Sequence, residues 1–178
     1  MSSNMTDIAA QSIASPRTTA PGRIRPFVAE DREPLRQLLV ATDVFRAEEV
    51  EVAVELMDSA VEDPTQTDYV MATYVDHAGT VCGYYCYGST PMTRSTFDLY
   101  WIAVDTALQG SGIGSALLSH CEQQIRAEGG SLVVVETSSL EKYEPTRRFY
   151  RRHAYDESAR LQGYYAPDDD LIIFTKHL

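Results

Sequence analysis

Apolar positions along this chain change their spacing several times, and each change marks an element. Gly22–Val28 (GRIRPFV) alternates as a short first strand, with Pro26 pointing to an edge or a bulge. Ala29–Thr42 shifts to helical spacing, acids early and Leu35, Leu38 and Leu39 on one face. A second helix covers about Ala47–Ala60, where Val50, Val54, Leu56 and Met57 oppose an acidic face, and Glu62-Asp63-Pro64 ends it. Tyr69–Val75 and Val81–Tyr87 are aromatic and β-branched runs joined by Asp76-His77-Ala78-Gly79-Thr80, which predicts a hairpin with His77 solvated on its turn. Ser89–Ser95 reads as a loop, and Phe97–Val104 (FDLYWIAV) as a buried strand.

The second half is richer in punctuation. Asp105–Gln109 leads into a glycine loop, and Gly112–Glu128 follows as a helix with Ile113, Leu117, Leu118, Cys121 and Ile125 inward. Gly129-Gly130 stops it. Leu132–Glu136 is another buried strand, and Pro145–His153 a short helix with proline in its first turn. Strands near Tyr155–Leu161 and at Leu171–Lys176 are expected to flank a loop, Gln162–Asp170. The order β-α-α-β-β-β-α-β-α-β-β implies an α/β fold, a mixed sheet with helices on both faces. Residues 1–21, rich in Ser, Thr, Ala and Pro, read as a flexible tail before one domain over 22–178.

Composition narrows the class. At 178 residues with 44% hydrophobic and 23% charged residues, the chain suits one soluble globular domain. No run approaches the roughly 18 apolar residues of a membrane span, so no membrane partner is expected. The first residues lack the apolar core of a secretory signal. A net charge of −11 argues against a phosphate-neutralising surface, hence against nucleic acid. The same charge would tolerate a cationic acceptor such as an amine. Cys82, Cys86 and Cys121 are too few and ill-spaced for a metal site and read as core or pocket-wall thiols, which fits a reducing cytoplasm.

The chemistry concentrates in Gln109-Gly110-Ser111-Gly112-Ile113-Gly114. Alternate glycines let backbone N–H groups approach a ligand, and the helix that follows adds its positive dipole end; together they bind phosphate or pyrophosphate. A structural tight turn is the plain alternative. A P-loop is excluded because Gly114 is followed by Ser115-Ala116 rather than Lys-Ser/Thr. A dinucleotide fingerprint would need glycine where Ser115 stands, although Glu136 ends the next strand where a ribose-binding acid would sit.

The run Gln109-x-x-Gly112-x-Gly114, preceded by Val104-Asp105, resembles the Q/R-x-x-G-x-G/A motif of the GNAT superfamily of acyl-CoA N-acyltransferases. Phe149-Tyr150-Arg151-Arg152-His153-Ala154-Tyr155 is similar to that superfamily's F-Y-x-x-x-G-F element. Tyr143 and Thr146 depart from its usual Asn and Ala, and Ala154-Tyr155 from Gly-Phe. The resemblance covers about residues 22–178. It implies a mixed, mostly antiparallel twisted sheet whose two central parallel strands splay, with acetyl-CoA lying in the gap. The pantetheine arm would follow the backbone of Ile102, Ala103 and Val104. The pyrophosphate would sit on Gln109, Gly110, Ser111, Gly112, Ile113, Gly114 and Ser115, with the cluster Arg147, Arg148, Arg151 and Arg152 nearby.

The implied activity is N-acetyl transfer to a primary amine by direct attack, since no Ser-His-Asp or Cys-His set is visible. The acceptor is expected to be a small molecule; a protein lysine or N-terminus, or a non-catalytic acyl-CoA sensor, is the alternative. By resemblance Tyr150 is the acid for the departing thiolate, unless it simply packs on the sheet. Asp98 is the first candidate for the base, at the strand position where some family members carry one, and Glu136 the second. The acceptor pocket is expected around Phe45, Glu48, Glu49, Tyr85, Tyr87, Tyr164 and Tyr165, though these aromatics suit a core equally. No metal is expected. A homodimer is the expected assembly.

Overall fold

A computed structural model describes residues 22–63 and 65–178; the tail expected over 1–21, and Pro64, lie outside the described residues. Seven strands form one sheet: β1 (Arg23–Pro26), β2 (Val70–Val75), β3 (Val81–Ser89), β4 (Thr96–Val104), β5 (Leu132–Ser138), β6 (Asp156–Ala166) and β7 (Asp169–His177). Their spatial order is β1-β2-β3-β4-β5-β7-β6. Every neighbouring pair is antiparallel except β4 and β5.

Helices α1 (Arg32–Ala41) and α2 (Ala47–Glu62) cover one face. Leu35, Leu38, Leu39, Val50, Ala53 and Met57 pack there with Tyr84, Cys86 and Ala103 of the sheet. Helix α3 (Ile113–Ala127) and α4 (Glu144–Arg152) cover the other. On that side Ile113, Leu117, Leu118, Cys121, Ile125 and Tyr150 meet Tyr85, Tyr87, Val133, Val135 and Phe174. The sheet is thus buried on both sides, which is why its central strands read as nearly unbroken apolar runs.

Sequence signals act locally as expected in several places. α3 ends where Gly129 takes a left-handed φ of +83° and Gly130 N–H returns to Ile125 O at 2.8 Å. The β2–β3 turn is held by Thr80 N–H donating to Asp76 Oδ1 at 2.8 Å.

The last hairpin differs from expectation. Gln162–Asp170 is not a loop: β6 continues to Ala166 and β7 begins at Asp169. Most of β6 is exposed at the edge of the sheet, so it carries no alternating apolar signal. Ladder hydrogen bonds to β7 hold it instead, irregularly between Leu161 and Ala166.

One irregularity in the centre positions the site. The β3–β4 register shifts so that Cys86 faces Trp101 but Tyr87 faces Leu99, leaving Tyr100 as an extra residue on β4. Such a bulge bends its strand and increases local twist. On its other side β4 pairs with β5 only at Thr96↔Leu132, Phe97↔Val133 and Asp98↔Val134. Past that last pair each strand continues without the other, and a V-shaped gap opens.

Candidate active site

Two cavities flank the gap, and β4 contributes to both. The first, about 420 Å³, is lined by Ile102 and Val104 of β4, the glycine loop, and Pro145, Thr146, Phe149 and Arg152 of α4. Gly110 has φ +80° and Gly112, the N-cap of α3, has φ +92°. Both angles are left-handed and favour glycine. A Cβ added at either would meet nothing within 4 Å, so the open space beside the loop is available to a ligand. Gly114 sits in a tight place of another kind: its Cβ would lie 3.3 Å from the Phe149 ring, where α3 and α4 approach closely. His153 ties these helices together, with Nδ1 2.8 Å from Phe149 O and Nε2 2.9 Å from Ser115 Oγ.

A 15-residue helix with unpaired N–H groups at its start, opening on glycines in left-handed geometry, fits a pyrophosphate. The four arginines divide their roles. Arg147 is buried and structural, donating to Ser138 O at 2.6 Å and Leu140 O at 3.0 Å. Arg148 and Arg151 pair with Glu144, and Arg151 also with Glu157. Arg152 lines the cavity and forms no ion pair among the described residues, so it is the cation available to phosphate.

The second cavity, about 360 Å³, lies on the α1–α2 side. Asp98 and Trp101 of β4, Glu136 of β5, Phe45 and Glu49 near the start of α2, Tyr143, Tyr165 and Asp169 all line it. A bridge ties two of its lining residues to the α1–α2 connection. Lys142 Nζ and Tyr143 Oη, on a 3-10 turn (Glu141–Tyr143), donate to Val44 O at 2.6 and 3.1 Å. Asp169 is buried, and its Oδ1 accepts from Ser138 Oγ at 2.5 Å and Ser139 N–H at 3.1 Å. Glu49 Oε2 accepts from Arg46 N–H at 2.8 Å, capping α2.

The electrostatics differ between the two strand carboxylates. Asp98 Oδ2 accepts from Thr90 Oγ1 at 2.8 Å. Much of Glu136 is accessible, yet partial burial first, and the charge of Asp98 second, push its carboxyl above the usual range. Tyr165 is pushed up to about 12 by burial, with Glu136, Tyr164, Glu49 and Asp169 adding to it. Three acids therefore surround one phenol.

The structure thus brings Phe45, Glu49, Asp98, Glu136 and Tyr165 together, and leaves four expected pocket residues outside. Tyr85 and Tyr87 do not wall the pocket: they point to the α3 face, where Tyr85 Oη bonds His120 Nδ1 at 2.8 Å and Tyr87 Oη bonds Glu128 at 2.5 Å. A strand buried on both faces offers no polar side to reveal which way its tyrosines point. Glu48 faces outward on α2, and Tyr164 is 57% exposed on the edge strand. Tyr150 lies in the core with Tyr155 and Phe174, centroids 5.4 and 5.9 Å away, while its neighbour Phe149 faces the glycine-loop cavity. Burial raises the Tyr150 phenol, so it keeps its proton at neutral pH. Its hydroxyl bonds no protein group among the described residues.

Sequence reasoning missed Trp101, Tyr143 and Asp169. Tyr143 was visible only as a departure from a motif, and Asp169 fell in a stretch expected to be loop.

A splayed parallel pair, a glycine loop opening a helix, and an acidic cavity across the gap define an acyltransferase of the acyl-CoA type. The sequence pattern of the acetyltransferase (GNAT) domain matches residues 67–157. A crystal structure from Desulfovibrio desulfuricans, described as a GNAT-family acetyltransferase, is 37% identical, with TM-score 0.82 over 88% of this chain and 99% of that one. More distant structures share the fold. The ribosomal-protein-S18-alanine N-acetyltransferase of Escherichia coli is 16% identical, with TM-score 0.70 over 88% of this chain and 94% of its own. An aminoglycoside 6′-N-acetyltransferase in complex with coenzyme A is 17% identical, with TM-score 0.66 over 87% and 96%. A search of curated proteins found no match. The chain belongs to the GNAT family of N-acetyltransferases. Among the described residues no helix is long and apolar enough to cross a membrane.

Proposed function

We propose that the protein transfers the acetyl group of acetyl-CoA to the primary amine of a small molecule by direct attack. The observation that carries this reading is that β4 lines both cavities while its pairing with β5 stops at Asp98↔Val134. Past that pair the backbone of β4 on the gap side is free to bond an extended pantetheine as a further strand would be bonded. Gln109–Ser115 and Arg152 hold the phosphates. Acetyl-CoA supplies an activated thioester carbonyl.

Glu136 is the base. Its carboxyl, raised first by partial burial and then by the charge of Asp98, which Thr90 fixes in place, can accept a proton from the incoming ammonium. The amine nitrogen then bonds the carbonyl carbon, the carbon–sulfur bond breaks, the thiolate takes a proton from Tyr150, and the nitrogen gives up its second proton, which restores the phenol through solvent. Much of the acceleration comes from holding both reactants at one gap. The Lys142–Tyr143 bridge to Val44 limits the acceptor side to a small molecule.

The test is mass-spectrometric detection of N-acetyl products over a panel of small primary amines and of peptides with free N-termini or lysines. Acetylation of small amines well above any peptide is the expected result. Faster acetylation of peptides would overturn the small-molecule assignment.

A further inference from the structure

Along β5, Val133 and Val135 pack into the core under α3 and α4, while Val134, Glu136 and Ser138 line the acceptor cavity. Strand alternation places Thr137 with the first set. Thr137 is nevertheless the third residue past the last β4–β5 pair, roughly 10 Å along the strand, where no β4 backbone lies beside it. Its other flank is taken by β7, with Ile172 as its partner. It is 5% exposed, touches the acceptor cavity, and its Oγ1 has no hydrogen-bond partner among the described residues.

A buried hydroxyl without a partner works against folding, and few persist in native proteins without a role. Valine has the same shape and would avoid the problem. Thr73 and Tyr84 also carry unpartnered buried hydroxyls, but Thr73 lies on β2 and Tyr84 in the core under α1 and α2, and neither lines a cavity beside the gap. Among the described residues only Thr137 combines such a hydroxyl with a place on the splayed segment, next to Glu136.

We propose that Thr137 is a catalytic hydrogen-bond donor to the acyl carbonyl oxygen of the donor thioester; this rests on the acetyl transfer proposed above. As the amine nitrogen bonds the carbonyl carbon, the carbonyl π electrons move onto oxygen and negative charge develops there. A hydroxyl already fixed by the strand stabilises that charge without reorganising. The threonine keeps its proton throughout. The charge returns to the carbonyl bond when the sulfur leaves with its electron pair and is protonated.

The test compares Thr137→Val and Thr137→Ser with the wild type, using thiol release with one amine and melting of the protein without ligand. Thr137→Val should lower kcat by about 10²-fold, the range for losing one oxyanion donor, with the amine KM little changed. Thr137→Ser should restore most of the rate. Without ligand, Thr137→Val should melt at the same or a higher temperature, because an unsatisfied hydroxyl has gone. A wild-type kcat in Thr137→Val overturns the assignment. So does a lower melting temperature, which would show the hydroxyl holding the fold. A wild-type protein that releases no thiol with any amine refutes the proposed acetyl transfer itself, whereas an active wild type with an unaffected valine variant refutes only the role of Thr137.

Discussion

Asp98 and Val134 are the last residues that pair across the two central strands, and two acids face the acceptor cavity at that parting: Asp98 itself and Glu136, two residues past Val134. The bulge at Tyr100 bends β4 away just beyond this point. The carboxylates therefore stand where the strands part.

Gly112→Val tests the donor end. Nothing lies within 4 Å of the new Cβ, so the cost to the fold is backbone strain at φ +92°, about 1–3 kcal/mol. The variant should remain folded, melt a few degrees lower, and lose the stabilisation that acetyl-CoA gives the wild type. Undiminished stabilisation by acetyl-CoA would make the loop a structural turn.

The two carboxylates separate by pH. A base must be ionised, so kcat/KM should fall on the acid side through the raised pKa of Glu136. Asp98→Asn removes the neighbouring negative charge, which should shift that limb to lower pH with little change in the maximum. Glu136→Gln should abolish the limb and lose most rate below the pKa of the amine. An abolished limb in Asp98→Asn, with Glu136→Gln unaffected, would reverse the roles.

The same shift has a consequence for stability. The folded protein keeps the Glu136 proton to higher pH than the unfolded chain, so stability from this group declines as pH rises through its folded pKa. Glu136→Gln should therefore be more stable than the wild type above that pKa. The gain should vanish below the unfolded carboxyl pKa, where both states are protonated. Melting temperatures across this window check it, and a gain that grows toward acid would contradict the assigned shift.

Tyr150→Phe keeps the ring contacts with Tyr155 and Phe174 and removes only the hydroxyl. The melting temperature and acetyl-CoA affinity should barely change. Thiol release should fall by roughly 10- to 10⁴-fold, the usual span for general acid catalysis. An unaltered rate would leave Tyr150 as a core residue.

Much of the fold was legible because its signals are local. Helical spacing marked α1, α2 and α3, Gly129-Gly130 marked a stop, and the alternate glycines marked the turn that opens α3. The cavity was less legible because Phe45, Asp98, Glu136, Tyr143, Tyr165 and Asp169 come from distant segments. Tyr85 and Tyr87 looked like pocket residues because both faces of β3 are apolar, so facing direction left no trace in the sequence. Position along β4 put Asp98 ahead of Glu136. The raised carboxyl of Glu136, visible only once burial and the proximity of Asp98 are known, shifts the weight to Glu136.

The central claim is that donor and acceptor meet in one gap and react without an acylated protein. Both cavities draw on β4, and no cysteine lines either of them: Cys86 and Cys121 are buried, with thiols that burial pushes up. Initial rates of thiol release, measured while acetyl-CoA and the best amine are both varied, test this directly. Double-reciprocal lines that intersect, showing that both substrates must be bound before thiol leaves, are the predicted result. Parallel lines, with thiol released before the amine binds, would reveal an acetylated side chain and contradict the account.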